Sequence, residues 1–257
     1  MTPTQAALGI VIGFVSGMLS GLFGVGGGIV MTPGIQVLLG APPIVALATP
    51  LPAIFPAALT GAYTYRQGGE VDAHAAAWIA GPGIVAAILG SWATDVIDTH
   101  LLLLITAALL AYQAVSILRG ARSGARSRTP RTGTPQAFAG IGLAAGFISG
   151  LLGIGGGLII VPLLAGLLGM PLKRALGTSL LAIVVLVIPG TIVHAALDHI
   201  DWAVCLVVTI GAVPGARVGA RLALGTRERT LRLMVGSFLL LVAFAYGLSE
   251  LTHLLRG

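Results

Sequence analysis

Apolar stretches long enough to cross a hydrocarbon core, which takes about twenty residues, follow one another from residue 6 to residue 253, with one long polar interruption at 119–136. Such a chain cannot surround a soluble core with polar surface. Only 9% of its 257 residues are charged, 56% are hydrophobic, and the mean hydropathy is +1.02. Lipid offers no partner to backbone N–H and C=O groups, so every span must satisfy its own, as a helix does. The alternating pattern of a membrane barrel is missing. The fold class is therefore an all-α polytopic membrane protein. Residues Met1 to Leu8 carry no Lys or Arg, so a cleaved leader with a basic start is not expected. The lone cysteine, Cys205, lies in an apolar run and reads as a small buried hydrophobe.

The chain repeats itself. Residues 13–28, GFVSGMLSGLFGVGGG, match residues 142–157, GLAAGFISGLLGIGGG, at an offset of 129 with 9 of 16 identical. The register holds without a gap beyond the motif, pairing Pro33 with Pro162, Pro42 with Pro171, Thr49 with Thr178, Gly61 with Gly190 and Asp72 with Asp201. Residues 1–118 thus form a first membrane repeat and 137–257 a second. The segment 119–136, rich in Arg, Ser, Gly, Thr and Pro, reads as an exposed basic linker. Together they make one integral membrane domain.

Each half reads as one long glycine-broken segment, 6–40 or 137–169, followed by three plain spans: 44–65, 74–94 and 100–118, then 174–196, 202–224 and 231–253. An unbroken helix over 137–169 would run about 50 Å, well past a hydrocarbon core of about 30 Å. Positive charge tells how the segment is accommodated. Arg119, Arg122, Arg126, Arg128 and Arg131 precede it, Lys173 and Arg174 follow it, and Arg227, Arg229 and Arg232 fill the last loop. All three groups are expected on the cytoplasmic side. A segment flanked by basic loops at both ends begins and ends on one side and is a hairpin. Loops with Asp95 and Asp98 or Asp198 and Asp201 then fall outside, and Arg66 falls inside. Each half crosses an odd number of times, so the expectation is two inverted repeats with the linker cytoplasmic and both termini outside.

Glycines recur every fourth residue before each break, at Gly13, Gly17, Gly21 and at Gly142, Gly146, Gly150, a spacing that suits close helix packing. The next cluster is different. Gly24, Gly26, Gly27 and Gly28, with Gly153, Gly155, Gly156 and Gly157, put four glycines in five residues, each costing a helix about 1 kcal/mol relative to alanine. Unwound backbone at membrane depth is tolerated only where protein buries it or a polar cavity meets it. Its N–H groups can curl into an anion-holding nest, and the helix restarting near Ile29 or Leu158 offers its positive end to the same place. Ser20 and Ser149 can add hydroxyl donors. A nucleotide-binding loop does not fit, since no strand precedes the glycines and no Lys-Ser/Thr follows them.

All eight acidic residues fall at loops or span ends, so no buried carboxylate is left for a cation or a proton relay. A small anion is the expected ligand. Arg217 is the deepest basic residue, opposite Ile88 in the repeat, and stands as a steering candidate or as a snorkelling side chain. His194, near the outer end of its span, stands as a gating candidate or as an interface residue. No nucleophile–base grouping, metal cluster, cofactor motif or nucleic-acid patch is expected. The sequence is compatible with a homo-oligomer.

The motif from Ser20 to Pro33, SGLFGVGGG with proline five residues on, recurs as SGLLGIGGG from Ser149 to Pro162. It resembles the TauE/SafE family of sulfite and organosulfur-anion transporters over essentially the whole chain. The resemblance implies a transporter of sulfite, thiosulfate or organosulfonates, with an exporter's direction in many members. It also implies a pathway role for the glycine loops, Ser20, Ser149, Thr49, Thr178 and Ser179. Pro50 stands where the second half has Ser179, so the two half-sites are chemically unequal. An anion channel and a non-transporting membrane scaffold are the alternatives. Loop charge and family together give an inner-membrane, multi-pass expectation.

Overall fold

The computed structural model describes residues 2–93, 111–112, 114–115, 117–119, 133–152 and 155–254. Most of the span expected at 100–118, most of the linker 119–136, and Gly153 lie outside the described residues. Those described form helices joined by short turns, with no strand among them, and five of the helices are long and apolar enough to cross a membrane. Their outward faces are apolar too, with Val11, Val85, Leu206 and Phe244 exposed, as lipid solvation requires.

Helix α1 (Pro3–Phe23) opens on a capping box in which Thr2 Oγ1 accepts from Gln5 N and Gln5 Oε1 accepts from Thr2 N. It ends at Gly24, which is left-handed at φ 69° and donates its N–H to Ser20 O. The chain then turns back. Gly27 lies against Ser16 and Ser20, and Gly34 lies against Ile12, so the returning leg runs antiparallel to α1. That leg is α2 (Gly28–Pro33), which passes into a π-helical turn over Gly34–Leu38. Pro33 has no N–H to continue an α-helical ladder, and the turn widens there. At about 1.5 Å per residue, the apolar leg Gly28–Leu38 reaches about halfway across a membrane.

The chain continues through α3 (Pro43–Ala48) and α4 (Pro50–Gln67), then turns into α5 (Ala73–Ala93). The second half repeats the order with α6 (Pro135–Leu152), α7 (Gly157–Pro162) with its π turn Leu163–Leu167, α8 (Leu172–Ala196) and α9 (Trp202–Gly225). α10 (Glu228–Leu254) follows, and its Phe238 stacks on Phe23 with ring centroids 4.3 Å apart. Asp72 and its repeat partner Asp201 cap α5 and α9, Asp72 Oδ1 accepting from Ala75 N at 2.9 Å and Asp201 Oδ1 from Ala203 N and Val204 N at 3.0 Å.

The glycine stripes join each half to the other. Gly13, Gly17 and Gly21 face the carbonyls of Val208, Ala212 and Ala216 on α9, and Gly211, Gly215 and Gly219 face those of Ile10, Phe14 and Met18 on α1. Both series rise together, so α1 and α9 run parallel with interlocked backbones. Likewise Gly142, Gly146 and Gly150 of α6 meet the carbonyls of Ile79, Gly83 and Ala87 on α5. At the centre, α4 and α8, which are repeat counterparts, cross antiparallel: Gly61 packs on Leu180 while Gly190 packs on Leu51. These two contacts are themselves related by the repeat.

A β-carbon at Gly17 would collide with the carbonyl of Ala212, an atom of the backbone that cannot rotate away. Gly17→Leu is therefore expected to cost about 3 kcal/mol or to prevent assembly. Gly81→Ala, in a helix position with nothing within 4 Å, is expected to be neutral or to stabilise by up to about 1 kcal/mol. Thermal unfolding of the two variants in detergent checks the contrast.

Candidate functional site

The two glycine turns converge on the middle of α4 and α8. A β-carbon at Gly26 would rest 3.4 Å from Ile183 and 3.6 Å from Ile54, and one at Gly155 would rest 3.6 Å from Ile183 and 4.0 Å from Ile54. Ile54 and Ile183 are repeat counterparts and both are fully buried. The tips also touch directly, since a β-carbon at Gly157 would come within 2.5 Å of Gly24 O and 2.7 Å of Val25 Cα. Gly26, Gly27, Gly155 and Gly156 are left-handed, at φ 86°, 85°, 85° and 71°. That geometry turns the chain so tightly that Gly27 and Gly156 act as N-terminal caps of the returning helices α2 and α7.

Polar groups gather around this meeting point. Ser20 is fully buried and its Oγ has no hydrogen-bond partner among the described residues, a costly state for a hydroxyl among apolar groups. Its Cβ lies 3.4 Å from where a side chain on Gly27 would begin, so the hydroxyl sits at the foot of the first glycine turn. Ser16, one helical turn earlier, donates to Gly27 O and fixes the turn from below. Ser179 donates to Gly24 O at 2.9 Å. Ser149 is buried at the matching position of the second half.

Thr49 and Thr178 do something else. Thr178 Oγ1 accepts from Asp72 N at 2.9 Å, and Thr49 Oγ1 accepts from Asp201 N at 3.1 Å. Each threonine thus holds the first turn of the opposite half's α5 or α9, and the two bonds are repeat images of each other. In both, the threonine oxygen accepts and the hydroxyl keeps its own proton as a donor. Two of the expected residues stand apart from the tips. Arg217 is exposed on α9, whereas the tips are buried. His194 is half-buried at the far end of α8, its Nδ1 3.3 Å from Nδ1 of His199.

The ends of the molecule differ in charge. Lys173 Nζ donates to Leu224 O at 2.6 Å, and Gly68 lies against Leu224, bringing Arg66, Lys173, Arg174 and the 226–229 loop to one end. At the other end a cavity of about 500 Å³ is lined by Gln5, Val45, Asp198, Asp201 and apolar neighbours. No charged side chain is buried among the described residues, and none of their acidic, His or Cys groups clusters as a metal site.

The sulfite exporter TauE/SafE family matches residues 9–246. The chain belongs to that family. Among its TauE/SafE relatives, a probable membrane transporter protein of Xylella fastidiosa (strain 9a5c) is 31% identical, covering 84% of this chain and 82% of the relative. One from Xylella fastidiosa (strain Temecula1 / ATCC 700964) is 30% identical over 91% of this chain and 90% of its own. The probable membrane transporter protein YunE of Bacillus subtilis (strain 168) is 27% identical over 91% of this chain and 94% of its own. No solved structure matches. This TauE/SafE chain is thus a multi-pass membrane transporter.

Sequence inspection passed over Ile54, Ile183, Ser16 and Tyr65, which all touch the tips or the helices carrying them. The pairing of Ile54 with Ile183 at the repeat offset is the one signal that marks them. Because Ser179 satisfies a buried carbonyl, Ser179→Ala is expected to cost about 1–3 kcal/mol. Thr191→Val removes a hydroxyl that bonds only Val187 O of its own helix, and is expected to change little. Thermal melts of the purified transporter in detergent distinguish the two.

Proposed function

We propose that this TauE/SafE transporter carries small sulfur-containing anions, sulfite, thiosulfate or organosulfonate, outward across the inner membrane. The carrier works by alternating access around the two glycine tips. The observation that carries the proposal is the meeting of two left-handed glycine turns beside Ser20, whose buried hydroxyl has no partner among the described residues. Backbone N–H groups at such turns and at the starts of α2 and α7 are donors for an oxyanion. The lack of buried carboxylates among the described residues favours an anion over a cation.

The sulfur substrate comes from the family's description as sulfite exporter. The antiparallel crossing of counterpart helices α4 and α8 supports inverted halves. The gathering of Arg66, Lys173 and Arg174 at one end supports that end, and the linker, being cytoplasmic, with both termini outside. In this reading the tips and the helices beside them expose the site to one end at a time. Export then runs with the membrane potential: one negative charge moving outward from a negative cytoplasm releases about 2.3 kcal/mol per 100 mV. No coupled ion is required.

Vesicles reconstituted with the purified protein and assayed with sulfite, thiosulfate, sulfoacetate and a cation control test this. Saturable anion flux with counterflow is expected, and a non-saturating conductance would instead mean a channel. Gly27→Ala and Gly156→Ala force a side chain into left-handed backbone at a cost of about 1–2 kcal/mol each. Each is expected to lower flux at least tenfold while the protein stays folded. Absence of flux for every anion, with both variants altering stability alone, would leave the scaffold alternative standing.

A further inference from the structure

We infer that Tyr65 is the plug of the basic end of the pathway, and that the two ends are unlike gates built from equivalent positions. This inference rests on the transport reading above. The repeat offset places Tyr65 opposite His194, Glu70 opposite His199, Gly69 opposite Asp198, and Gly177 opposite Ala48. The local backbone is the same at both ends: Glu70 N donates to Tyr65 O and His199 N donates to His194 O, each at 3.0 Å. Gly69 and Asp198 are both left-handed, at φ 73° and 57°. What differs is the side chain that the shared backbone presents.

At the basic end, Tyr65 is fully buried and its hydroxyl donates to Gly21 O at 3.0 Å. Gly21 is the residue after Ser20, so the phenol crosses from α4 to the last turn before the first glycine tip. Its room is made by Gly177 on α8, where a β-carbon would lie 2.6 Å from Tyr65 Cβ and 3.0 Å from Cγ and would also collide with Glu70 O. The size change is reciprocal. The large Tyr65 faces a glycine, and the smaller His194 belongs to the end where the glycine's counterpart is Ala48.

At the acidic end the equivalent side chain, His194, meets the neighbouring loop instead. His194 is half-buried and turned to His199, and the cavity of about 500 Å³ lies at that end, with Val45 and Asp201 in its wall. Asp201 is the residue whose N–H is held by Thr49. The conformation is thus plugged at one end by a hydrogen-bonded ring and approached from the other as far as the Thr49–Asp201 bond. Withdrawal of Tyr65 from Gly21 is the step that opens the basic end.

The test uses thiol labelling in sided vesicles of the full chain, in a Cys205→Ala background, with a membrane-impermeant reagent and Ser20→Cys as the probe. Tyr65→His, which gives the basic end the residue of the other end, is expected to speed labelling from the basic side about tenfold. That is the change in open population when about 1.4 kcal/mol of hydrogen bond and packing is lost. Labelling from the acidic side is expected to stay as it was. Tyr65→Phe, which keeps the ring, gives a smaller rise and serves if the histidine variant does not fold. The transplanted plug, His194→Tyr with Ala48→Gly, is expected to slow labelling of a Ser149→Cys probe from the acidic side. Unchanged basic-side labelling in a folded Tyr65 variant overturns the inference. Anion flux measured on separate vesicles of the chain with Ser20 and Ser149 intact, with and without the Tyr65 substitution, separates the two ideas. Labelling that follows Tyr65 while no sulfur anion moves sinks the substrate reading and keeps the plug. Flux with flat labelling sinks the plug alone.

Discussion

The architecture depends on one contact repeated down two helix pairs: glycine against carbonyl, α1 on α9 and α6 on α5. In lipid there is little hydrophobic gain from bringing helices together, so association rests on dispersion, close backbone approach and weak polar contacts. Small residues every fourth position allow that approach. Because each glycine helix finds its partner in the opposite half, neither half can complete its packing alone. The same contact sets depth. α1 cannot slide along α9 without driving a Cβ or a carbonyl into the next turn, so Gly24 and the tip beyond it are held at a fixed level beside Leu176 and Ser179.

On this frame the polar bonds are partly symmetric. The Thr49–Asp201 and Thr178–Asp72 bonds match, as do the Gly61–Leu180 and Gly190–Leu51 contacts. Others exist once only. Ser179 bonds Gly24 O, but its counterpart Pro50 has no hydroxyl, and Pro50 also parts α3 from α4 where α8 runs on unbroken. Ser16 bonds Gly27 O, while its counterpart is Ala145. Among the described residues, the first tip is therefore tied by two hydroxyls, those of Ser16 and Ser179, whose repeat counterparts carry none, on a scaffold whose apolar contacts remain paired. Packing is a property of both halves; polar chemistry at the tips differs between them.

Fold class, the spans that fall within the described residues and the glycine breaks were legible because they follow from length, hydropathy and helix propensity, each a local property. The hairpin turns were legible because four glycines in five residues cannot stay helical. Partnership was not legible. The offset relates Gly17 to Gly146 but gives no hint that Gly17 sits on Ala212, since equivalence in sequence says nothing of contact. Thr49 and Thr178 were expected at the substrate, and nothing in the sequence hinted that each also accepts a backbone N–H across the interface. Arg217 shows the converse, a charge in an apolar run that the helix turns to its exposed face. Ile54 and Ile183 are marked in the sequence only by their pairing at the repeat offset, one such pair among many in apolar runs, and the convergence of Gly26 and Gly155 on them gives that pairing its meaning.

On the proposed reading, the carrier needs a site that attracts an anion's charge and is tolerable without it. A buried lysine would meet the first need and fail the second, because an uncompensated ammonium in a low-dielectric interior costs several kcal/mol. Backbone dipoles avoid that conflict. N–H groups at a glycine turn carry partial charges that are modest when unoccupied and add together when an oxyanion arrives. The absence of buried charge among the described residues and the closing of Ile54 and Ile183 over the tips fit the same requirement, since apolar walls strengthen those dipoles once water is excluded. In the same reading, a hydroxyl such as that of Ser20, which has no partner among the described residues, is the complement: a small standing cost that anion binding would relieve.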